Sequence, residues 1–182
     1  MSALFQIITF LLDVAAGLLG GACLLRLYMQ HQRVPFGNPV GRFVFALTNW
    51  IVLPLRKVLP GYRRWDFASL IAAYLFELAQ FAVIALMLGR GYATVPVLAL
   101  FGLVRLLISG AIGLTIVYAI LSWINADSPM GDIIDRLASP LLRPFRRMIP
   151  LVGGFDLSPL ALLIVLQVLA IIVANLQDAL VR

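Results

Sequence analysis

The chain has 182 residues, of which 63% are hydrophobic and only 12% are charged, and its formal net charge at pH 7 is +6. Soluble domains are roughly half apolar and a quarter charged, so this composition excludes an ordinary globular protein. A mean hydropathy of +1.04 indicates an integral membrane protein instead.

The basic residues argue for a membrane surface rather than a nucleic acid. Of the 14 basic residues, all but Lys57 are arginine. Most of them lie in the connections between apolar stretches, where positive charge is typical of cytoplasmic orientation and of contact with anionic headgroups. We therefore expect lipid headgroups as partners and no nucleic acid.

Enzyme signatures are missing from the sequence. Cys23 is the only cysteine and His31 the only histidine, which excludes an internal disulfide, a His/Cys metal cluster and a well-supported catalytic triad. A glycine-rich phosphate loop is also lacking. The sequence predicts a protein that is not an enzyme and has no cofactor and no metal.

The first half of the chain contains two predicted spans, each long enough to cross a bilayer at about 20 residues. The first covers Ala3–Leu27, and the second covers Phe67–Leu88. Between them lies the long connection Tyr28–Asp66. Within it, Asn38-Pro39 has the pattern of an N-cap followed by proline at the first helical position, which predicts the start of an interfacial helix.

The second half follows the short connection Gly89–Thr94 and contains two further spans. The third covers Val95–Ile124, which is longer than one perpendicular span needs. Two interpretations fit this length: one tilted span, or a span preceded by an interfacial segment over Val95–Val104. The fourth span covers Pro159–Val181.

The connection Asn125–Ser158 has an amphipathic helical pattern, with apolar residues at three- and four-residue spacing and charges between them. Ser128-Pro129 and Ser139-Pro140 each look like an N-cap with proline after it. We therefore predict one short helix from Pro129 and a second from Pro140 to Ile149. These helices are expected to lie in the cytoplasmic headgroup plane.

An internal repeat relates the two halves at a constant offset of 90 residues, without a gap from Asn38 to Leu70. It indicates a tandem duplication, with repeats 1–90 and 91–182 forming one membrane domain. Upstream of Asn38 the register is ambiguous, because a two-residue shift pairs Gln30-His31 with Ser122-Trp123. The residues that agree in register are Pro39 with Pro129, Pro54 with Pro144, Arg56 with Arg146, Lys57 with Arg147, Pro60 with Pro150, and Asp66 with Asp156.

The basic residues also predict the orientation of the chain. Ten of them lie in the two long connections, against Arg90 and Arg182 on the opposite side. The long connections are therefore expected in the cytoplasm and both termini outside. Since each repeat contains two spans, both repeats enter the membrane in the same sense.

The repeated segment supplies most of the candidate site residues. Its cations are candidate contacts for headgroups or a partner protein: Arg56, Lys57, Arg143, Arg146 and Arg147. Asp66 and Asp156 precede spans, where an acid stabilises a helix N-terminus and can also reach the preceding basic pair. The other signature positions are interpreted as helix starts: Pro54, Pro60, Pro144, Pro150, Ser158 and Pro159.

Three ionisable residues lie well inside spans, at comparable depth: Asp13, Glu77 and Arg105. Buried charge in a membrane is costly and suggests function. Arg105 could pair with either acid, as a structural ion pair or as part of a proton or ion relay, and we favour the structural pair. Two sets of small residues are further predicted to pack spans one and three together: Gly17, Gly20 and Gly21, and Ser109, Gly110 and Gly113.

The segment Leu141-Leu142-Arg143-Pro144-Phe145-Arg146-Arg147-Met148-Ile149-Pro150, with Gly153-Gly154-Phe155-Asp156-Leu157-Ser158-Pro159 after it, closely resembles the hallmark of the YggT family. These are small bacterial membrane proteins, with YlmG relatives in Gram-positive bacteria, cyanobacteria and plastids. The likeness covers essentially the whole chain. The first copy departs from it, with Trp50 at the place of Pro140, Leu53 at that of Arg143, and Ala68-Ser69 at that of Ser158-Pro159.

The resemblance implies a non-enzymatic membrane factor. Family members are associated with cell-division gene neighbourhoods, nucleoid or plastid organisation, osmotic tolerance and cytochrome complex assembly. Our main hypothesis is a scaffold or assembly factor for membrane, cell-division or respiratory-complex biogenesis, with an unidentified protein partner. The alternative is a small transporter or channel component linked to osmotic response.

The expected fold is all-α, with about four transmembrane helices in two parallel repeats and amphipathic interfacial helices between the spans of each repeat. The expected location is the bacterial cytoplasmic (inner) membrane, and a homo-oligomer is compatible with the sequence.

Overall fold

The computed structural model describes residues 3–59, 65–89, 91–123, 129–149 and 156–181, and these are almost entirely helical. A single 3₁₀ turn, Tyr92–Thr94, interrupts the helices. The helices are α1 (Ala3–His31), α2 (Pro39–Val58), α3 (Phe67–Met87), α4 (Val95–Trp123), α5 (Pro129–Met148) and α6 (Ser158–Val181).

Four stretches are long and apolar enough to cross a membrane: Ala3–His31, Phe67–Met87, Tyr92–Ser122 and Ser158–Leu180. They confirm the four predicted spans and the prediction of an all-α, multi-pass membrane protein. The third is one continuous helix over Val95–Trp123, so Val95–Val104 is not a separate helix. The remaining helices, α2 and α5, are the amphipathic pair.

The predicted break at Pro140 is wrong, because α5 runs unbroken past both Pro140 and Pro144. In the first repeat α2 likewise contains Pro54 in its interior. These three prolines are therefore not helix starts. A proline inside a helix loses one hydrogen bond, but the buried apolar face of α5 continues from Leu137 to Leu142 on both sides of Pro140. Burial of that face favours one helix over two.

Other helix starts agree with the sequence patterns. Pro39 and Pro129 are the first residues of α2 and α5. Asn38 caps α2, because its Oδ1 accepts a hydrogen bond of 2.9 Å from the Gly41 backbone N–H. The last helix begins at Ser158, one residue before the predicted start. Pro60, Pro150 and Ser128 lie outside the described residues.

The chain divides into two packing units, Met1–Leu107 with Leu176–Arg182, and Ile108–Asn175. In the first, α1 packs on α2 and α3. Its core includes Cys23, Val52 and Ala72, and small residues of this kind let membrane helices approach closely. In the second unit, Tyr118, Leu142 and Leu166 belong to one buried cluster.

Candidate functional site

Each unit contains an ion pair between the end of its amphipathic helix and the residue that precedes the next span. In the first, Arg56 donates hydrogen bonds to both carboxylate oxygens of Asp66, at 3.3 Å from Nε to Oδ1 and more closely from Nη2 to Oδ2. In the second, Arg146 Nε donates to Asp156 Oδ2 at 3.0 Å. We call these contacts the first clip and the second clip. The 90-residue repeat therefore places the same contact in both units.

The acid of the first clip is fully buried and also begins α3. Asp66 accepts hydrogen bonds from the Ser69 backbone N–H at 3.4 Å and from Ser69 Oγ at 2.7 Å. Burial opposes ionisation of Asp66, but the hydrogen bonds from Arg56 and Ser69 outweigh it and hold its pKa below the ordinary value. Asp66 is thus held as a carboxylate at neutral pH.

A second arginine, Arg26 near the end of α1, lies in the protein interior close to Asp66 of the first clip. Its side chain is only 2% exposed, and its Nε lies 3.8 Å from Asp66 Oδ2. Its Nη1 donates to Thr48 Oγ1 at 2.8 Å and to Asn49 Oδ1 at 2.9 Å. The guanidinium also lies 4.7 Å from the centre of the Phe45 ring. Arg26 therefore joins α1 to α2 and to the start of α3.

The sequence interpretation missed this role, because it included Arg26 in the first span, Ala3–Leu27, without assigning it a partner. The position of Arg26 in the sequence was the signal that could have revealed this role. An arginine near the end of a long apolar helix needs a polar partner, and α2 supplies one through Thr48 and Asn49.

The second clip is more open and has different neighbours. Its two side chains are 34% exposed for Arg146 and 17% for Asp156. Arg146 also donates to the Tyr118 hydroxyl, lies over that ring at 5.3 Å, and approaches Asp135 at 3.9 Å. In the repeat register shifted by two residues, Tyr118 occupies the position of Arg26.

The charges of the second clip stabilise each other. Burial opposes the charge on Asp156, but hydrogen bonds from Ser158 and Arg146 lower its pKa. Burial likewise opposes the charge on Arg146, but Asp156, Tyr118 and Asp135 together raise its pKa. The Ser158 backbone N–H donates to Asp156 Oδ1 at 2.9 Å, so Asp156 also stabilises the start of α6.

The five candidate cations thus separate into two groups. Arg56 and Arg146 form the clips. The other three, Lys57, Arg143 and Arg147, are exposed. Within the described ranges, none of these three forms an ion pair.

The two amphipathic helices expose different surfaces. Large apolar side chains are exposed along α2, including Phe43, Trp50 and Leu53. On α5 the exposed residues include Arg143 and Arg147, which lie one turn apart and so share a face. The exposed surface of α5 therefore includes a pair of cations, whereas that of α2 includes large apolar side chains.

The intramembrane residues are positioned as follows. Asp13 is exposed and accepts a hydrogen bond from Gln80 Nε2. Glu77 is 4% exposed, and its Oε2 has no hydrogen-bond partner among the described residues. A Cβ atom at Gly102 would collide with that oxygen, so the glycine provides its space. Arg105 is exposed and forms no ion pair with either acid in the described part of the chain.

The small residues pack only in part as predicted. Cβ atoms at Gly20 and Gly21 would lie 2.8 Å and 3.9 Å from Leu106 of α4, so these two glycines do contact the third span. The prediction is wrong for Gly17, Gly110 and Gly113, where a Cβ would meet no atom within 4 Å.

Comparison with known proteins identifies the family. The model of the CCB3/YggT family matches residues 3–87 and 97–177, so its two matches fall in the two halves of the chain. The chain belongs to the CCB3/YggT family. No solved structure matches it significantly.

Relatives in several bacteria match over most of their length. The uncharacterized protein YggT of Escherichia coli strain K12 is 38% identical over 178 residues, which cover 94% of this chain and 92% of that protein. An uncharacterized protein encoded in the proC 3′ region of Vibrio alginolyticus is 34% identical, with 87% and 89% covered. An uncharacterized protein of Haemophilus influenzae is 32% identical, with 79% and 78% covered.

Proposed function

We propose that this CCB3/YggT family protein is a non-enzymatic scaffold or assembly factor of the bacterial cytoplasmic membrane. It holds α2 and α5 at the cytoplasmic surface and presents the basic end of α5 to a membrane protein partner, in membrane, cell-division or respiratory-complex biogenesis. The observation that carries this proposal is the duplicated clip. The same Arg–Asp contact fixes the end of each amphipathic helix to the beginning of the following span.

A clip of this kind supports a presenting role because it restricts the direction of the helix. Arginine has a planar set of donors that holds a carboxylate in a defined geometry. With Arg146 committed to Asp156, the neighbouring Arg143 and Arg147 stay exposed on a fixed helix. Each cation near an anionic leaflet contributes about 1 kcal/mol of attraction, and the same groups can bind acidic side chains of a partner.

Site-specific photo-crosslinking from α5 in intact membranes tests the proposal. We expect wild-type protein to capture a defined partner, and the double variant Arg143→Ala/Arg147→Ala to lose most of that product. Arg136→Ala is the matched control, since Arg136 is also an exposed cation of α5 but lies beside Asp132 and Asp135. Unchanged capture by the double variant, or an equal loss in the control, would contradict the proposal.

A second candidate function, a small transporter or channel component, is favoured by one observation. The Glu77 carboxyl is buried inside the second span, and its Oε2 has no hydrogen-bond partner among the described residues. Such groups occur in ion and proton pathways. Flux of ions or protons into vesicles containing the purified protein, abolished by Glu77→Gln, would support this candidate. Vesicles with folded protein and no flux would remove it and leave the scaffold.

A further inference from the structure

Glu77 is an acid at the centre of the second span. It lies ten residues from each end of α3, Phe67 and Met87, which is about 15 Å along the helix from either end. The residue is only 4% exposed. Because the hydrocarbon core of a bilayer is about 30 Å thick, this carboxyl is far from water on both sides of the membrane.

Small residues make room for the carboxyl where α1, α3 and α4 meet. A Cβ atom at Gly20 of α1 would lie 2.8 Å from Leu106 of α4 and 3.7 Å from the Ala73 carbonyl oxygen, one turn before Glu77 on α3. A Cβ atom at Gly102 of α4 would collide with Glu77 Oε2 and would lie 2.9 Å from its Cδ. The absence of a side chain at Gly102 therefore leaves the space that the carboxyl occupies.

The immediate neighbours of the carboxyl do not bind it. Its Oε2 has no hydrogen-bond partner among the described residues. The Phe81 ring borders the same space, since a Cβ atom at Gly102 would lie 2.9 Å from Phe81 Cε2. Tyr74, one turn before Glu77, donates its hydroxyl to the Pro96 carbonyl oxygen at 3.1 Å instead.

The part of α1 that faces Glu77 contains no positive charge. Gln80 contacts Asp13 and Ala73 contacts Gly20, so Glu77 faces the segment of α1 between Asp13 and Gly20. Asp13 accepts a hydrogen bond from Gln80 and, as a second acid, cannot neutralise a carboxylate. The other titratable residues of α1 lie beyond this segment: Cys23, Arg26, Tyr28 and His31.

Neither α4 nor α2 supplies an ion pair to Glu77. On α4, Arg105 is exposed and forms no ion pair within the described ranges. The charged residues of α2 lie near its two ends: Arg42, Arg56 and Lys57. An ionised Glu77 would thus be an isolated charge inside the membrane, which is costly. Protonation removes that charge.

A proton suits this position better than a metal cation. Cations such as Ca²⁺ and Mg²⁺ take about six or more oxygen ligands, whereas a proton needs one carboxylate oxygen. Around Glu77 the described side chains offer the Phe81 ring and the open side of Gly102. The amide nitrogen of Gln80, the next buried polar residue of α3, is bonded to Asp13.

We propose that Glu77 is a proton-binding site inside the membrane. Its carboxyl holds a proton at neutral pH, and Gly102 provides the space for the neutral acid. This inference deepens the second candidate function, on which it rests for a physiological role, because it names the proton as the ion that the carboxyl binds. It does not depend on the proposed scaffold function.

Infrared spectroscopy of the purified protein in lipid bilayers tests the proposal. The difference between wild type and Glu77→Gln isolates this carboxyl. We expect the wild type to show, at neutral pH, the carbonyl band of a protonated carboxylic acid that the variant lacks. The band should disappear as the pH is raised, with the same midpoint in sodium, potassium and magnesium salts. Asp156→Asn is the control and should remove a carboxylate band instead, because hydrogen bonds from Ser158 and Arg146 lower the pKa of Asp156.

A matched pair of glycine variants tests the space around the carboxyl. Gly102→Ala should shift or weaken the acid band, because its Cβ atom would collide with Glu77 Oε2. Gly110→Ala lies on the same helix, where a Cβ atom would meet nothing within 4 Å, and should leave the band unchanged. If Gly102→Ala does not fold, the double variant Glu77→Ala/Gly102→Ala, which removes the carboxyl, should fold again.

Three results would overturn the proposal: a carboxylate band for Glu77 at neutral pH, a titration midpoint that moves with the identity of the metal cation, or an acid band unaffected by Gly102→Ala. Flux measurements on the same vesicles separate this inference from the transporter function. An acid band without flux keeps the proton site and removes the transporter. Flux together with a carboxylate band removes the proton site and keeps the transporter.

Discussion

The two clips contain the same pair of residues at the same spacing, yet they lie in different surroundings. In the first, Asp66 is fully buried and has two arginines near it, Arg56 and Arg26. In the second, Asp156 is 17% exposed, and its arginine is shared with Tyr118 and Asp135. The duplication thus kept the contact but changed the environment that decides how much it contributes to stability.

The difference can be traced to one position on the preceding span. Arg26 adds a buried positive charge in the first unit, so that unit has two guanidinium groups around one carboxylate. Tyr118, at the matching position of the shifted register, adds a neutral hydroxyl. Loss of Asp66 therefore leaves the buried positive charge of Arg26 uncompensated in the first unit. Loss of Asp156 leaves Arg146 without this acid in the second unit, but the Arg146 side chain is partly exposed.

The largest predicted effect comes from removing the acid of each clip. Asp66→Asn should destabilise the folded protein by about 3–5 kcal/mol, the range for breaking a buried pair. Asp156→Asn should cost about 1 kcal/mol or less, because its pair is partly exposed. Unfolding in mixed micelles, followed by circular dichroism, measures both variants. Equal losses would show that burial does not distinguish the clips.

Lowering the pH should destabilise the protein in a similar way, because it protonates Asp66 and Asp156. The pKa of Asp66 and that of Asp156 are lower in the folded protein than their ordinary value. Their contribution is therefore fully present above the ordinary pKa of about 3.9 and is lost as the pH falls through the lower folded value. The free energy of unfolding, measured against pH, should fall on the acid side, and less steeply in Asp66→Asn than in wild type. A slope unchanged by this substitution would contradict the assignment.

Replacing Arg26 should lower the free energy of unfolding less than replacing Asp66, the acid that it faces. Arg26→Met keeps an apolar stem but removes the hydrogen bonds to Thr48 and Asn49, so we expect a loss of about 1–3 kcal/mol. Arg42→Met is the control, because Arg42 is an exposed cation of α2 and should have little effect. The same unfolding measurement compares them. Equal stability of the two variants would show that Arg26 does not hold α1 to α2.

A smaller effect than that of Arg26→Met is expected at the position that replaces Arg26 in the second unit. Tyr118→Phe removes the hydroxyl that accepts a hydrogen bond from Arg146 and keeps the ring beneath the guanidinium. We expect a loss of about 0.5–1.5 kcal/mol in the same assay. A loss as large as that of Arg26→Met would mean that the hydroxyl, like the buried arginine, is an essential part of its clip.

Several features of the site follow from local sequence and were predictable. Arg56 and Asp66, like Arg146 and Asp156, are ten residues apart at the end of one helix and just before the next. Each acid directly precedes a span, and a basic pair lies ten residues before the acid in the sequence. This order was enough to suggest that the acid and the basic pair are in contact. What sequence spacing did not distinguish is which of the adjacent cations forms the clip, because that depends on the direction of each side chain around its helix.

The sequence by itself determined the class of the protein, its four spans, the duplication and the helix starts at Pro39 and Pro129, since apolar length and N-terminal capping act locally. The tertiary structure decided the rest. It carries α5 through Pro140, because a continuous buried face outweighs one lost hydrogen bond. It buries Arg26 against α2, and it leaves Asp13 and Arg105 exposed. These outcomes depend on which helices become neighbours, and a local pattern does not specify that.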